Sequence, residues 1–252
     1  MIDKFSIFKD FKRVAAEDLT IMGAPVLECR SADDVLKDKI ATLERQMKQL
    51  STLQSHDALC LLKNSIAMPK LLYILRTSPC ANNPLLHRFD MMLKNGLETI
   101  LNVQLSDTHW KQSSLPVHMG GLGVRSTCML ALSALPASAT AMLLLQKAIL
   151  SASAAGADDT AVSNIKTTLC CLANTTESSD QSMHIQRAWD ASVTTAAYNV
   201  LMPTSLSPMD LARFKAVVTA HAGDWLHASP LIAVGLRIAH PRIAHLSDVQ
   251  FE

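Results

Sequence analysis

Apolar and polar positions alternate along this chain in two rhythms, and the first is brief. Leu19-Thr20-Ile21-Met22 is an apolar run stopped at once by Gly23-Ala24-Pro25, which predicts a short strand and a turn. From Leu36 the rhythm becomes helical. Leu36, Ile40, Leu43, Met47 and Leu50 recur at alternating spacings of four and three, with Lys37, Asp38, Lys39, Glu44, Arg45 and Lys48 between them. That is two heptads of an amphipathic helix in need of a partner. Ser31, three residues before Asp34, offers a capping-box-like start. The segment Asp57 to Arg76 is the expected partner, because Leu59, Leu61, Leu62, Ile66, Met68, Leu71, Leu72, Ile74 and Leu75 leave it almost no polar face. Pro69 lies inside it and removes a backbone donor, so a kink or two shorter helices must occur there. A third helix carries Leu86, Phe89, Leu93, Leu97, Ile100 and Leu101 on one side and completes a small bundle.

The second half is less regular. No period is visible from Ser106 through Trp110 to Pro116, and Gly120-Gly121-Leu122-Gly123 then marks a tight loop that uses positive φ. An apolar helix is expected over Arg125 to Leu150, interrupted near Pro136. Residues 151–182 are rich in Ala, Ser, Thr and Asp and read as a polar connection around a weak helix near Val162 to Leu172. Helical spacing returns in Ile185, Trp189, Val193, Ala196 and Val200, and again in Leu211, Phe214, Val217, Val218, Ala222 and Trp225. The expected class is mainly α: a helical bundle, a short β element near the N-terminus, and a second helical segment after a polar linker. The segments are 1–30, a residual strand and turn; 31–150, the bundle; 151–182, the linker; and 183–252, the C-terminal helical part.

Composition narrows the chemistry. With 49% hydrophobic and 18% charged residues among 252, the chain can bury a core. A formal charge of +1 gives no overall basic excess, so any phosphate contact must come from a local patch. Aromatics at 4% count against a module that stacks the bases of single strands. Six scattered cysteines and a charged start, Met1-Ile2-Asp3-Lys4, point to reduced thiols in an intracellular protein, cytoplasmic or nuclear. Met129 to Leu145 approaches membrane-span length, but Pro136, Ser133, Ser138 and Thr140 break it below the roughly 18 uninterrupted apolar residues of a span. No membrane partner is expected.

Motifs for chemistry are thin. Gly121-x-Gly123-x-x-Ser126 imitates a dinucleotide fingerprint but lacks the preceding strand and the acid some 20 residues on, so a structural loop is the better reading. Cys170-Cys171 are adjacent and His240 and His245 stand alone, which does not suit tetrahedral zinc. No cofactor or metal is expected. The pairs Glu17-Asp18, Asp33-Asp34 and Asp158-Asp159 sit near predicted helix starts, where carboxylates favour the helix dipole. Between Leu61 and Gln112, six cations (Lys63, Lys70, Arg76, Arg88, Lys94, Lys111) face three carboxylates (Asp90, Glu98, Asp107), a local excess of +3. That excess is either a solvated helix surface or a face for phosphates.

The wording of two blocks then carries more than their periodicity. Leu61-Leu62-Lys63-Asn64-Ser65-Ile66-Ala67-Met68-Pro69-Lys70-Leu71-Leu72-Tyr73-Ile74-Leu75-Arg76-Thr77-Ser78-Pro79 resembles the thumb region of non-LTR (LINE-type) retrotransposon reverse transcriptases. Leu115-Pro116-Val117-His118-Met119-Gly120-Gly121-Leu122-Gly123-Val124-Arg125-Ser126 resembles that family's proline, double-glycine and arginine block. Met22-Gly23-Ala24-Pro25 is similar to the turn beyond its palm, near the primer grip, and Trp189-Asp190, Ala222-Gly223-Asp224-Trp225-Leu226 and Gly235-Leu236-Arg237 follow in the family's order. The resemblance implies that 1–30 is a residual palm or primer-grip segment and 31–150 a thumb that holds an RNA–DNA or DNA duplex by its backbone. It makes Lys63, Lys70 and Arg76 candidate contacts and Gly23, Pro25, Gly120, Gly121 and Gly123 structural turns. The paired metal-binding aspartates of the palm and the family's Cys/His-rich segment have no counterpart here, so a non-enzymatic fragment of an RNA-directed DNA polymerase is expected. The rival expectation is a helical protein–protein interaction module that self-associates through Leu36 to Leu50.

Overall fold

The computed structural model describes residues 15, 18–25, 30–150, 167, 186–201 and 208–238. It is mainly helical, with a two-stranded antiparallel sheet near the N-terminus. The polar connection and the weak helix expected within 151–182 fall outside the described residues, Thr167 apart.

The sheet follows from the turn chemistry. β1 (Thr20–Ile21) and β2 (Ala24–Pro25) pair with Thr20 opposite Pro25 and Ile21 opposite Ala24. The two residues between them, Met22 at φ +51° and Gly23 at φ +79°, both take the left-handed conformation that a two-residue hairpin requires. Gly does this without cost, whereas Met22 gives up about 1 kcal/mol. The hairpin is held from the side: Ser78 Oγ donates to the Pro25 carbonyl at 2.6 Å and the Tyr73 hydroxyl to that of Met22 at 3.2 Å.

α1 (Arg30–Leu50) begins one residue ahead of Ser31 and buries Leu36, Ile40, Leu43 and Leu50. Its main partner is the helix Pro84–Leu101, and the expectation that Asp57 to Arg76 fills that role is corrected. The cause is Pro69. Around it the apolar segment divides into α2 (Ser55–Leu61), a π turn (Leu62–Ile66), a 3-10 turn (Met68–Lys70) and α3 (Leu72–Thr77). None of these pieces presents a ridge long enough to match a 21-residue helix. They still line the core, since Leu62, Ala67, Leu71, Ile74 and Leu75 are all buried. On length and mean hydropathy, 1.4, Ser55–Thr77 could cross a membrane, the one such stretch among the described residues. Here it is broken into turns, one side buried in the core and the other, with Leu61 and Tyr73, exposed.

α4 (Pro84–Leu101) is the unbroken spine. Asn83 caps it by accepting from Leu85 N at 2.9 Å, Pro84 occupies the first turn where its missing N–H costs nothing, and Asn102 at φ +57° closes it. Leu86, Phe89, Leu93, Leu97 and Leu101 are almost fully buried, each worth about 1.5–3 kcal/mol of burial. α5 (Asp107–Ser113) was not foreseen in the aperiodic stretch; Ser106 Oγ starts it by accepting from His109 N at 3.1 Å. α6 (Thr127–Leu150) runs through Pro136 instead of breaking. The proline lies buried between Ala134 and Ala137, whose small side chains let helices close on it, and packing there outweighs one lost bond. α7 (Gln186–Leu201) packs on α6, with Trp189 against Ala137, and also reaches α5. α8 (Pro208–Val218) lies on a 3-10 turn at Val117–Met119, and its Phe214 ring meets Tyr198 at 5.5 Å. Two more 3-10 turns, Asp224–Leu226 and Ile232–Val234, follow.

Candidate functional site

The three cations singled out from sequence occupy three different settings. Lys63, on the π turn, is half-buried; its Nζ donates to the Leu226 carbonyl at 3.1 Å, and its stem crosses Gly123. Burial lowers its pKa below the ordinary lysine value. Lys70 is exposed on the 3-10 turn, in an open cleft lined by Met22, Asp38, Lys39 and Tyr73. Arg76 on α3 is exposed, and its guanidinium grips Gln186 Oε1 at the start of α7. Because Pro69 resets the helix, Lys63 and Lys70 do not share the face that a seven-residue spacing would give them.

The rest of the local excess also redistributes. Lys94 pairs with Asp107 at 2.9 Å, which holds that carboxyl below its usual range, helped by Lys111 and His87. Glu98 accepts from Leu105 N at 2.9 Å, beyond the end of α4. Asp90, counted from sequence as a surface anion, is buried. Lys70, Arg76, Arg88 and Lys111 remain as exposed cations of this region, Arg76 with only the neutral Gln186 as its partner.

The glycines build the wall beside Lys63. Gly120 at φ +81° ends the 3-10 turn and lies under Val217 and Val218 of α8. A Cβ on Gly121 would stand 2.1 Å from the Leu115 carbonyl oxygen, so only a hydrogen fits. Gly123, at φ +75°, lets Lys63 Cε approach; a Cβ there would meet it at 3.1 Å. The backbone is satisfied as it turns: Leu122 N donates to Ser113 O and Gly123 N to Leu115 O. Gly23 turns the hairpin in open space, with Pro25 paired in β2.

Sequence reasoning missed the strongest polar centre. Asp90 projects from α4 to the N-terminus of α6, where its carboxylate accepts from Ser126 Oγ (2.5 Å), Thr127 Oγ1 (2.6 Å), Thr127 N (2.7 Å) and Cys128 N (3.3 Å). A carboxylate at this end satisfies orphan N–H groups and opposes the positive pole of the helix dipole. The Cys128 thiol beside it is pushed up to about 12, first by burial and then by the Asp90 charge. A signal existed: Asp90 sits on the stripe with Leu86, Phe89, Leu93 and Leu97, an acid on an apolar face. One residue before Ser126, Arg125 forms a bidentate pair with Asp190 of α7, at 2.6 and 2.5 Å and largely shielded from water. The Gly-rich block thus leads into two ionic ties that fix α6 to α4 and to α7.

Among the described residues, no group of three or more His, Cys, Asp or Glu side chains is placed to hold a metal ion. No family model, curated protein or solved structure matches the chain.

Proposed function

We propose that this chain is a thumb-like helical part of a non-LTR retrotransposon reverse transcriptase, with no polymerase chemistry of its own and a weak grip on the backbone of a template–primer duplex. The observation that carries the reading is that the two blocks resembling that family fold against each other, with Lys63 of the first lying on Gly123 of the second. Two stretches distant in sequence would have little reason to share both a family wording and a contact unless they were parts of one unit. Lys70, Arg76, Arg88 and Lys111 are the exposed cations of this region available to phosphates. Binding to an RNA–DNA hybrid is expected to be weak and to fall steeply with salt, with log K linear in log salt concentration. Charge reversal at Lys70 and Arg88 together weakens it across all sequences alike. No binding at low salt, or no effect of the double reversal, refutes the duplex grip.

A second reading, a helical protein–protein interaction module, draws on α6. Met142, Leu145 and Ile149 are exposed there at helical spacing. The heptad of α1 does not serve this reading, because its apolar side is spent on α4. Sedimentation that finds only monomer at high concentration refutes self-association through α6.

A further inference from the structure

The segment from Asp224 to Ile238 is fastened to α2 and the π turn by polar ties that no step of the duplex reading uses. Leu226 is buried, and Trp225 and Ile238 pack against the core. The Leu226 carbonyl takes the Lys63 ammonium. Arg237 pairs with Asp57 on α2. Between these two ties stands His56, only 3% exposed. Its Nδ1 accepts the backbone N–H of Ile238 at 3.0 Å, and its ring also bonds to the Ala228 backbone. An imidazole that accepts at Nδ1 and donates at Nε2 is neutral.

We propose that residues 224–238 form a proton-released strap over Lys63, with His56 as the latch. Protonation turns Nδ1 into a donor that faces the donor N–H of Ile238, and it adds a cation beside Arg237. The latch therefore loses a hydrogen bond and gains a repulsion at the same atom. Lys63, in the same attachment, then loses the carbonyl that occupies it and can take an anion. Burial already holds His56 below its ordinary value of 6.5; the Ala228 bond partly offsets it, and the Arg237 charge adds a smaller push in the same direction as burial. The sign follows. A depressed closed-state pKa means that the latch contributes fully above 6.5 and weakens as pH falls from there through the closed-state value. One proton limits the effect to about tenfold in the opening equilibrium per pH unit.

The charged groups around the latch are Arg237 from the strap, Asp57 next to it on α2, and Lys63 further along. The strap region also carries exposed His221, paired with Asp224, and exposed His227. The inference does not depend on the duplex reading, since strap opening is read without nucleic acid.

The test is hydrogen exchange by mass spectrometry on the full chain between pH 7.5 and 5, corrected for intrinsic rates, with the peptide over Phe89 to Leu101 of α4 as internal reference. Strap peptides are expected to exchange at least about threefold faster at the low end while the α4 peptide holds its protection. His56→Asn, which keeps an acceptor near Nδ1 but cannot gain a proton, is expected to flatten the response; a double His221→Asn, His227→Asn variant is expected to keep it. If His56→Asn opens the strap at every pH, the wild-type chain decides. The opening midpoint must then coincide with the NMR titration of the His56 ring. Opening that follows the carboxylate range instead, a pH-dependent rise in exchange that persists with His56→Asn, or a strap as protected as α4 at pH 5 overturns the proposal.

Discussion

Replacing Asp90 with alanine is expected to be among the most damaging single changes in this chain, and its size follows from the tie at the start of α6. The carboxylate receives four hydrogen bonds, three of them at 2.7 Å or less. Bonds to an ionised acceptor are worth about 1.5–3 kcal/mol each, but burying the carboxylate returns several kcal/mol of that gain. The mutant cannot collect the returned desolvation in full, because it strands the partners. Ser126, Thr127 and the Thr127 N–H stay buried, each costing about 1–3 kcal/mol if unpaired. Thr127 Oγ1 is partly rescued, since it also donates to the Leu86 carbonyl at 3.1 Å. The net loss is expected at about 3–5 kcal/mol, from two to three buried donors left unpaired at about 1–3 kcal/mol each. Asp90→Asn keeps one acceptor but turns an NH2 toward donors, and is expected to cost about 2–3 kcal/mol. Urea unfolding measures both. With a slope near 2 kcal/mol per molar, the alanine midpoint falls by about 2 M. Asp107→Ala, at an exposed carboxylate, is the control and should barely move it. A loss below about 1 kcal/mol for the alanine, or an asparagine variant as stable as the parent, would show that the cap does not hold α6 to α4.

Other perturbations separate causes that the sequence alone leaves mixed. Gly121→Ala drives a methyl into the Leu115 and Gln112 carbonyls and is expected to prevent native folding, whereas Gly23→Ala meets open space and costs only about 1 kcal/mol for its φ; circular dichroism during thermal melting distinguishes them. Leu43→Asp, in a side chain 1% exposed, is expected to unfold the monomer at all protein concentrations; a concentration-dependent midpoint would instead make α1 an intermolecular contact. Cys128, with its thiol near 12, is expected to resist iodoacetamide at pH 8 in the native chain and to react in urea; prompt native labelling, read by peptide mass spectrometry, would place the thiol in water and away from Asp90.

How much of this could be read beforehand depended on whether the cause was periodic. α1 and α4 announced themselves through leucines at spacings of three and four, and Pro69 announced a break by removing a donor. The short strand and turn were legible because Gly-Ala-Pro after an apolar run leaves few alternatives, but the second strand was not: Ala24 and Pro25, expected in the turn, pair with β1, and the turn itself is Met22-Gly23. α5 was not, because a seven-residue helix has too few turns for a stripe and rests on one hydroxyl cap. Pro136 misled in the other direction: helix propensity forbids it, and contacts with Ala-rich neighbours override the propensity. The site was legible as a list of cations and illegible as a place. Charge counting assigned Lys63 and Asp90 to the surface, but Leu226 and Ser126, the groups that claim them, lie 163 and 36 residues away, beyond any local pattern.

The Asp90 tie also sets an order of events. A chain made from its N-terminus carries the acceptor on α4 well before its donors exist, because Ser126 comes 36 residues later. At ordinary synthesis rates that interval is about 2–7 s, long compared with the time a helix needs to form. Throughout it, closing the leucine face of α4 would bury a carboxylate with nothing to hold it. The Asp90 carboxylate thus makes burial of the α4 face and arrival of the α6 start favour one another, so that the two halves of the bundle close cooperatively.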